Sequence, residues 1–374
     1  MEVSDLLKNY LYQQGVVGLD DKWSEIIRNS DGTILRMLKY FYISKKGPVR
    51  KADLYKNIKK YCKDIGGAPQ LVEQLREFSE FYTAVRKEEG PGIIKKYFTS
   101  LGCKVIASEQ DKFERIHIAL QGLRLFKVSQ AFPLIDAAIT SFTRNGGGNS
   151  RSLTKALIRL LESMEKYHFI NNAVCDRIGN EVEKLYADCC VEYARSDDFE
   201  KTTNEFLGTL KKQVASEEEF RIRFCEISYS QESIPLVAYI FDRMSNAGLD
   251  PGERVHMFNP ERSLRRKSHN IEHFYPQKPS SDMTPNPDML EGVDNIGNLL
   301  AISFRTNSSL GNLSPRKKLD ELKGRLAKRI QNLHYVNSFI HKYEKLADSW
   351  DRNAIAKRAS DLATEAYREV WQFN

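Results

Sequence analysis

The sequence predicts a mainly α-helical protein: a multi-helical region over residues 1–230, then a helical region over 231–374 that carries one small extended excursion. Three observations predict it. Apolar residues recur at helical spacing through nearly all of 1–246 and again after Ser314. Only residues 268–318 break that pattern, with two short extended runs on either side of a Pro-rich loop. Finally, 374 residues with 41% hydrophobic content are enough for two domains with ordinary globular cores.

Taken in order, VSDLLKNYLYQQ offers Ser4 or Asp5 as a cap and ends at Gly15 and Gly18. DDKWSEIIRN and DGTILRMLKYFYI each start on Asp and carry an apolar stripe. Lys46-Gly47-Pro48 interrupts before RKADLYKNIKKYCKDI. A longer helix over 68–89 stops at Gly90-Pro91-Gly92. KFERIHIALQGLRLF, a helix entered after Pro133, SLTKALIRLLESMEKYHF, VCDRIGNEVEKLYADCCVEYA and FEKTTNEFLGTL then repeat at 3.6 and not at 2. Arg144-Asn145 with Gly146, Gly147 and Gly148 reads as a flexible helix–helix loop; a phosphate cradle is the minor alternative, disfavoured because the loop lacks a GK[ST] ending. IPLVAYIFDRMSN (234–246) is the last strongly apolar helix before the basic, irregular ERVHMFNPERSLRRKS, which places a domain boundary near 230–250. After the excursion come SPRKKLDELKGRLAKRI, NLHYVNSFIHKYEKLADSW and DRNAIAKRASDLATEAYREVWQF, all helical in pattern.

Composition excludes several classes. Six cysteines without CxxC spacing read as reduced, buried thiols of a cytoplasmic protein, not a disulfide framework or zinc cage. No apolar run approaches the roughly 20 residues that span a bilayer, and the first residues lack a signal-peptide core. The net charge of +7, from 57 basic and 50 acidic residues, suits a polyanionic partner without demonstrating one. His117 and His168 stand alone on helical patterns and read as structural, as do His334 and His341 on a later helix.

The chemistry concentrates in HNIEHFYPQ. Alternation puts His269, Ile271 and His273 on one side of an extended run and Glu272 on the other. An imidazole takes a proton from water near neutral pH, and a carboxylate beside it suits a hard divalent cation. His269 reads as a hydrogen-bonded support. Asp294-Asn295-Ile296-Gly297-Asn298 is a turn feeding a second strand, LLAIS, so the two runs form a long hairpin around KPSSDMTPNPDMLEGV. In FRTNSSLGNLSPRKK, Asn307 lies where a short helix or turn would fold back across the hairpin, amid Arg305, Arg316, Lys317 and Lys318.

I-E-H-x-x-P-Q, I-G-N-L, a further Asn and a basic helix together resemble the His-Asn-His/Asn ββα-metal (HNH-like) nuclease finger. The version they resemble most is the C-terminal nuclease domain of GmrSD-type modification-dependent restriction enzymes and the related SspE- and BrxU-type phage-defence proteins. Trp350, Ile355, Arg358, Leu362 and Trp371 stand in the order of that family's W…I..R…L…W tail, and an apolar helix precedes the finger as in the family. The resemblance covers about 230–374 specifically and 1–230 loosely, through LLKNYL. It implies a finger at about 268–318 and a metal-dependent DNA endonuclease of a phage-defence or restriction protein.

Carried over by position, the resemblance implies His273 as general base and Asn298 as the residue pinning the loop and the base. Asn307 and Glu272 would be the ligands of one divalent metal, Mg²⁺ or Mn²⁺, with Glu one methylene longer than the Asp common in such fingers. The metal would bridge a phosphate oxygen and the leaving 3′ oxygen. Arg305, Arg316, Lys317 and Lys318 would hold flanking DNA phosphates. One finger gives one active site per chain, hence nicking. The family's nucleotidase domain, with its DGQQR-type motif, has no counterpart in this sequence, so the resemblance points to a truncated form or a natural split partner. A competing reading is a non-catalytic helical DNA-binding or assembly module that keeps the finger fold. A zinc knuckle is disfavoured because no cysteine falls within 268–318.

Overall fold

The computed structural model describes residues 2–86, 90–178, 182–255, 269–281, 283, 287–289 and 291–373, and its regular structure is mainly helical. Most of ERVHMFNPERSLRRKS and part of the Pro-rich loop lie outside the described residues. By internal contacts the chain divides into one unit of Met1–Glu165 with Ile178–Gln213 and a second of Lys166–Arg177 with Val214–Asn374.

The first unit contains α1 (Val3–Gln13), α2 (Leu19–Ser30), α3 (Ile34–Lys46), α4 (Leu54–Asp64), α5 (Ala68–Arg86), α6 (Gly90–Ser100), α7 (Lys104–Ser108), α8 (Gln110–Leu125), α9 (Phe132–Arg144), most of α10 (Arg151–His168), α11 (Glu183–Arg195) and α12 (Phe199–Lys211). Apolar stripes drive its packing: α2 lies on α5, and α3, α9 and α11 pack against one another. An aromatic cluster fills the centre, with Phe41 edge-on to Phe78 at 5.6 Å and Tyr82 edge-on to Phe132 at 6.0 Å.

Several local expectations change here. Asp31 does not start α3; at φ +47° it ends α2 in the left-handed region. Gly90-Pro91-Gly92 opens α6 instead of only stopping α5, consistent with proline's tolerance in a first helical turn. The glycines at 146–148 are required by close packing: a Cβ on Gly147 would lie 2.3 Å from the Phe142 ring, and one on Gly148 would lie 2.7 Å from the Gly102 carbonyl oxygen. The loop is tied down from its other side. The Arg144 guanidinium donates to the carbonyls of Tyr193 (2.7 Å), Ala194 (3.2 Å) and Ser196 (2.7 Å), capping the end of α11.

VCDRIGNEVEKLYADCCVEYA is not one helix. Phe169–Val174 continues α10 as a π-helical turn, Asp176 turns left-handed at φ +51°, and α11 begins only at Glu183.

The second unit contains that π-turn, α13 (Glu217–Cys225), α14 (Ile234–Asn246), strands β1 (His269–His273) and β2 (Leu299–Ser303), α15 (Phe304–Leu310), α16 (Pro315–Lys323), α17 (Ala327–Ile330), α18 (His334–Tyr343) and α19 (Arg352–Glu365). The helix expected over SPRKKLDELKGRLAKRI splits into α16 and α17 at Gly324. β1 and β2 pair antiparallel, from His269 opposite Ser303 to His273 opposite Leu299. An isolated two-stranded ribbon is marginal in water. Here α14 and α18 pack against β2 while α15 folds back over both strands. Phe274, just past β1, meets Phe339 and Trp350 edge-on, each at 4.9 Å, and Trp371 stacks on Phe169 at 3.9 Å. No helix among the described residues is long and apolar enough to cross a membrane.

Candidate active site at the end of the hairpin

His273 closes β1, and its Nε2 lies 3.0 Å from Oδ1 of Asp294, at the head of the turn that leads into β2. The imidazole is only 11% exposed, against 39% for the Asp294 side chain. An ionised carboxylate can only accept, so Nε2 carries the proton in this bond and Nδ1 keeps its lone pair. Burial pulls the His273 pKa below its ordinary value and the nearby Lys318 charge adds to that, while Asp294 opposes both. Tyr229 presents its ring edge-on to the imidazole at 4.9 Å, and Gln277 donates to the same Asp294 oxygen at 2.7 Å.

Asn298 is fully buried and its amide is saturated. Oδ1 accepts from the Tyr275 amide at 2.8 Å and from Trp350 Nε1 at 3.0 Å; Nδ2 donates to the Tyr275 and Val293 carbonyls at 2.9 and 2.7 Å. The Phe274 amide bonds the Asn298 carbonyl at 2.8 Å. One side chain thus fixes the chain leaving His273 and the chain arriving at Asp294. Next to it, Gly297 is pressed against α19: a Cβ there would lie 2.1 Å from the Ile355 carbonyl oxygen. Its own carbonyl accepts from buried Arg358 at 2.7 Å, and that guanidinium sits over the Phe339 ring. The tail residues Trp350, Ile355 and Arg358 therefore all act on the Gly297-Asn298 turn.

Glu272 and Lys318 depart from the sequence reading. Glu272 is 4% exposed and Lys318 1%, and the ammonium donates both to the Glu272 carboxylate and, at 2.7 Å, to the His273 carbonyl. Burial pushes the carboxyl pKa up and the ammonium pKa down, and each partner opposes the other's displacement. Glu272 is therefore closed by a cation of the chain itself, and Lys318 is not presented to a phosphate. Lys318 falls on the inner stripe of α16 with Pro315, Leu319 and Leu322, which is why it is buried.

The remaining candidates spread outward. Asn307 is half-buried in the middle of α15, and among the described residues its side-chain amide makes no hydrogen bond to Glu272 or His273. Arg305 is exposed on the same helix, where Arg329 reaches its carbonyl at 3.4 Å and Ser309 Oγ at 3.1 Å. Arg316 pairs with Asp348 and donates to the Glu344 carbonyl at 3.1 Å. Exposed Lys317 lines a cleft of about 260 Å³ with Leu313, Asp320, Glu321 and Arg325.

The structure thus joins Glu272, His273, Asn298 and Lys318 through one set of bonds and leaves Asn307, Arg305, Arg316 and Lys317 outside it. The sequence marks Asp294 only as a turn former and Gln277 only as the last position of I-E-H-x-x-P-Q, and it does not mark Tyr229 or Arg329. Among the described residues no three His, Cys, Asp or Glu side chains form a metal-holding group. Residues 214–365 match the family model for GmrSD restriction endonucleases, C-terminal domain. The hairpin, its turn and α13–α18 all lie inside the matched residues, together with the Arg358 contact to the turn. No curated protein matches the chain.

Proposed function

We propose that the GmrSD-type domain is a DNA endonuclease built on a ββα-metal (HNH-like) finger, with β1, β2 and α15 as its three elements and His273 as general base. The observation that carries this reading is the Asp294–His273 pair at the hairpin end, within residues that match a restriction-endonuclease domain. With Nε2–H held by Asp294, Nδ1 takes a proton from water, the resulting hydroxide attacks phosphorus, and the P–O3′ bond breaks with its electron pair going to the 3′ oxygen, which takes a proton from solvent. Asn298 keeps base and carboxylate in register by holding the backbone on both sides. Arg305, Lys317 and Arg316 hold phosphates flanking the scissile one, a role without sequence preference. One finger per chain makes a nick.

The divalent metal, Mg²⁺ or Mn²⁺, fits these residues incompletely. Asn307 offers a half-buried amide oxygen, but the Glu272 carboxylate is already compensated by Lys318. The same closed Glu272 favours a second reading, a helical DNA-binding or assembly module that keeps the finger fold without catalysis.

Supercoiled plasmid with Mg²⁺ or Mn²⁺, with and without chelator, separates the two. Nuclease chemistry predicts conversion to open circles, falling by about 10²–10⁴-fold in His273→Ala, the usual contribution of a positioned base. Cleavage by His273→Ala at the wild-type rate removes His273 from the mechanism. Plasmid that is bound but never cut by the wild type selects the non-catalytic reading.

A further inference from the structure

Placing an ammonium and a carboxylate together in a core is costly, and well-packed apolar side chains of similar volume commonly do as well or better for stability. What an apolar pair cannot do is donate a hydrogen bond. Lys318 Nζ spends one on the His273 carbonyl at 2.7 Å, the last carbonyl of β1. The next two backbone amides, of Phe274 and Tyr275, are held by Asn298 at 2.8 Å each. The backbone carrying the imidazole is thus gripped from both sides, by α16 through Lys318 and by the turn through Asn298. α16 is itself anchored: Arg316 donates to Asp348 at 2.7 Å and to the Glu344 carbonyl at 3.1 Å.

We propose that Lys318 is a positioning residue for His273 and that Glu272 serves as its counter-charge, not as a ligand of a catalytic cation. This rests on the reading of His273 as the base. Glu272 supplies the charge that keeps Lys318 protonated in a dry site, and Lys318 fixes where the imidazole stands. The more exposed carboxylate beside the base is Asp294, 39% exposed, whose Oδ1 already accepts from His273 and Gln277.

The test compares wild type, Lys318→Met, Glu272→Gln and the double variant Glu272→Leu/Lys318→Met in the full chain. Four quantities are read: kcat, KM for DNA, the half-saturating Mn²⁺ concentration, and Tm in chelator. Lys318→Met should lose about 10²-fold in kcat, the scale of a roughly 1 Å misplacement, with KM and the Mn²⁺ requirement unchanged. In chelator its Tm should fall and the double variant should regain it, while kcat stays low because nothing donates to the His273 carbonyl. Full recovery of kcat in the double variant overturns the proposal, as does a raised Mn²⁺ requirement in Glu272→Gln alone. Should the wild type cleave no DNA, the nuclease reading fails separately. The grip is then read from the His273 ring resonances and Tm: both must shift in Lys318→Met, and unmoved values overturn the proposal.

Discussion

Asn298→Asp is the most informative stability probe, because it keeps shape and volume and exchanges only two donors for a second acceptor. In the native chain Nδ2 satisfies the Tyr275 carbonyl at 2.9 Å and the Val293 carbonyl at 2.7 Å, in a side chain with no exposed surface. An ionised Asp leaves both carbonyls facing a carboxylate. At about 1–3 kcal/mol for each buried group left without a partner, the loss is about 4 kcal/mol near pH 8. Protonation restores one donor, so burial raises the folded-state pKa of the new carboxyl above its unfolded value. A group displaced in that direction contributes its stability below the unfolded pKa and loses it as pH rises through the folded one. The deficit relative to wild type should therefore shrink on acidification. Urea denaturation at pH 5 and pH 8, in a Trp23→Phe background so that Trp350 and Trp371 report on the second unit, measures it. A deficit below about 1 kcal/mol, or one independent of pH, refutes the saturated-amide account.

Gly297→Ala drives a methyl group to 2.1 Å from the Ile355 carbonyl oxygen and disturbs the Arg358 bond to the Gly297 carbonyl. The obstacle is helical backbone, which yields little, so a cost of about 3 kcal/mol or more is expected from overpacking plus a weakened charged hydrogen bond; an unaltered urea midpoint contradicts this. His168 is fully buried against Asn172, and burial pushes its pKa down to about 4. Because the unfolded chain takes up the proton more readily, stability present above about pH 6.5 should be lost as pH falls toward 4, by about 3 kcal/mol at about 1.4 kcal/mol for each pH unit. His168→Gln should flatten that acid limb, and an unchanged slope would show that other groups carry it.

How much of this was legible depends on whether the determining pattern was local. IPLVAYIFDRMSN and LLAIS carry complete helical and extended signals within themselves, and the structure places α14 and β2 on those same residues. Asp31 was misread because Asp both caps helix starts and adopts the left-handed region that ends helices, and only the three-dimensional path decides between them. Lys318 was read by its charge as one of three adjacent cations. The contrary signal was present: it completes a stripe with Pro315, Leu319 and Leu322 that faces inward on a helix. Asp294 was legible only as a turn former. Its place against His273 depends on the hairpin register, which pairs His273 with Leu299 and so brings the head of the turn alongside the imidazole.

The turn over 294–298 binds the tail and the hairpin to each other. Asp294 holds His273 through its side chain, and its carbonyl accepts from the Tyr229 amide at 2.7 Å. Asn295 donates to the Cys225 carbonyl at 2.7 Å, and the Ile296 amide donates to the Ile227 carbonyl at 2.9 Å. Gly297 is met by Arg358, and Asn298 by Trp350. Five consecutive residues thus fasten four separated parts of the second unit to one point. Substitutions within such a cluster share partners, so their effects do not add. A loss of cleavage in Gly297→Ala or Asn298→Asp therefore says nothing by itself about proton transfer. His273→Ala leaves every backbone bond of the turn in place, and that makes it the variant on which the chemistry is decided.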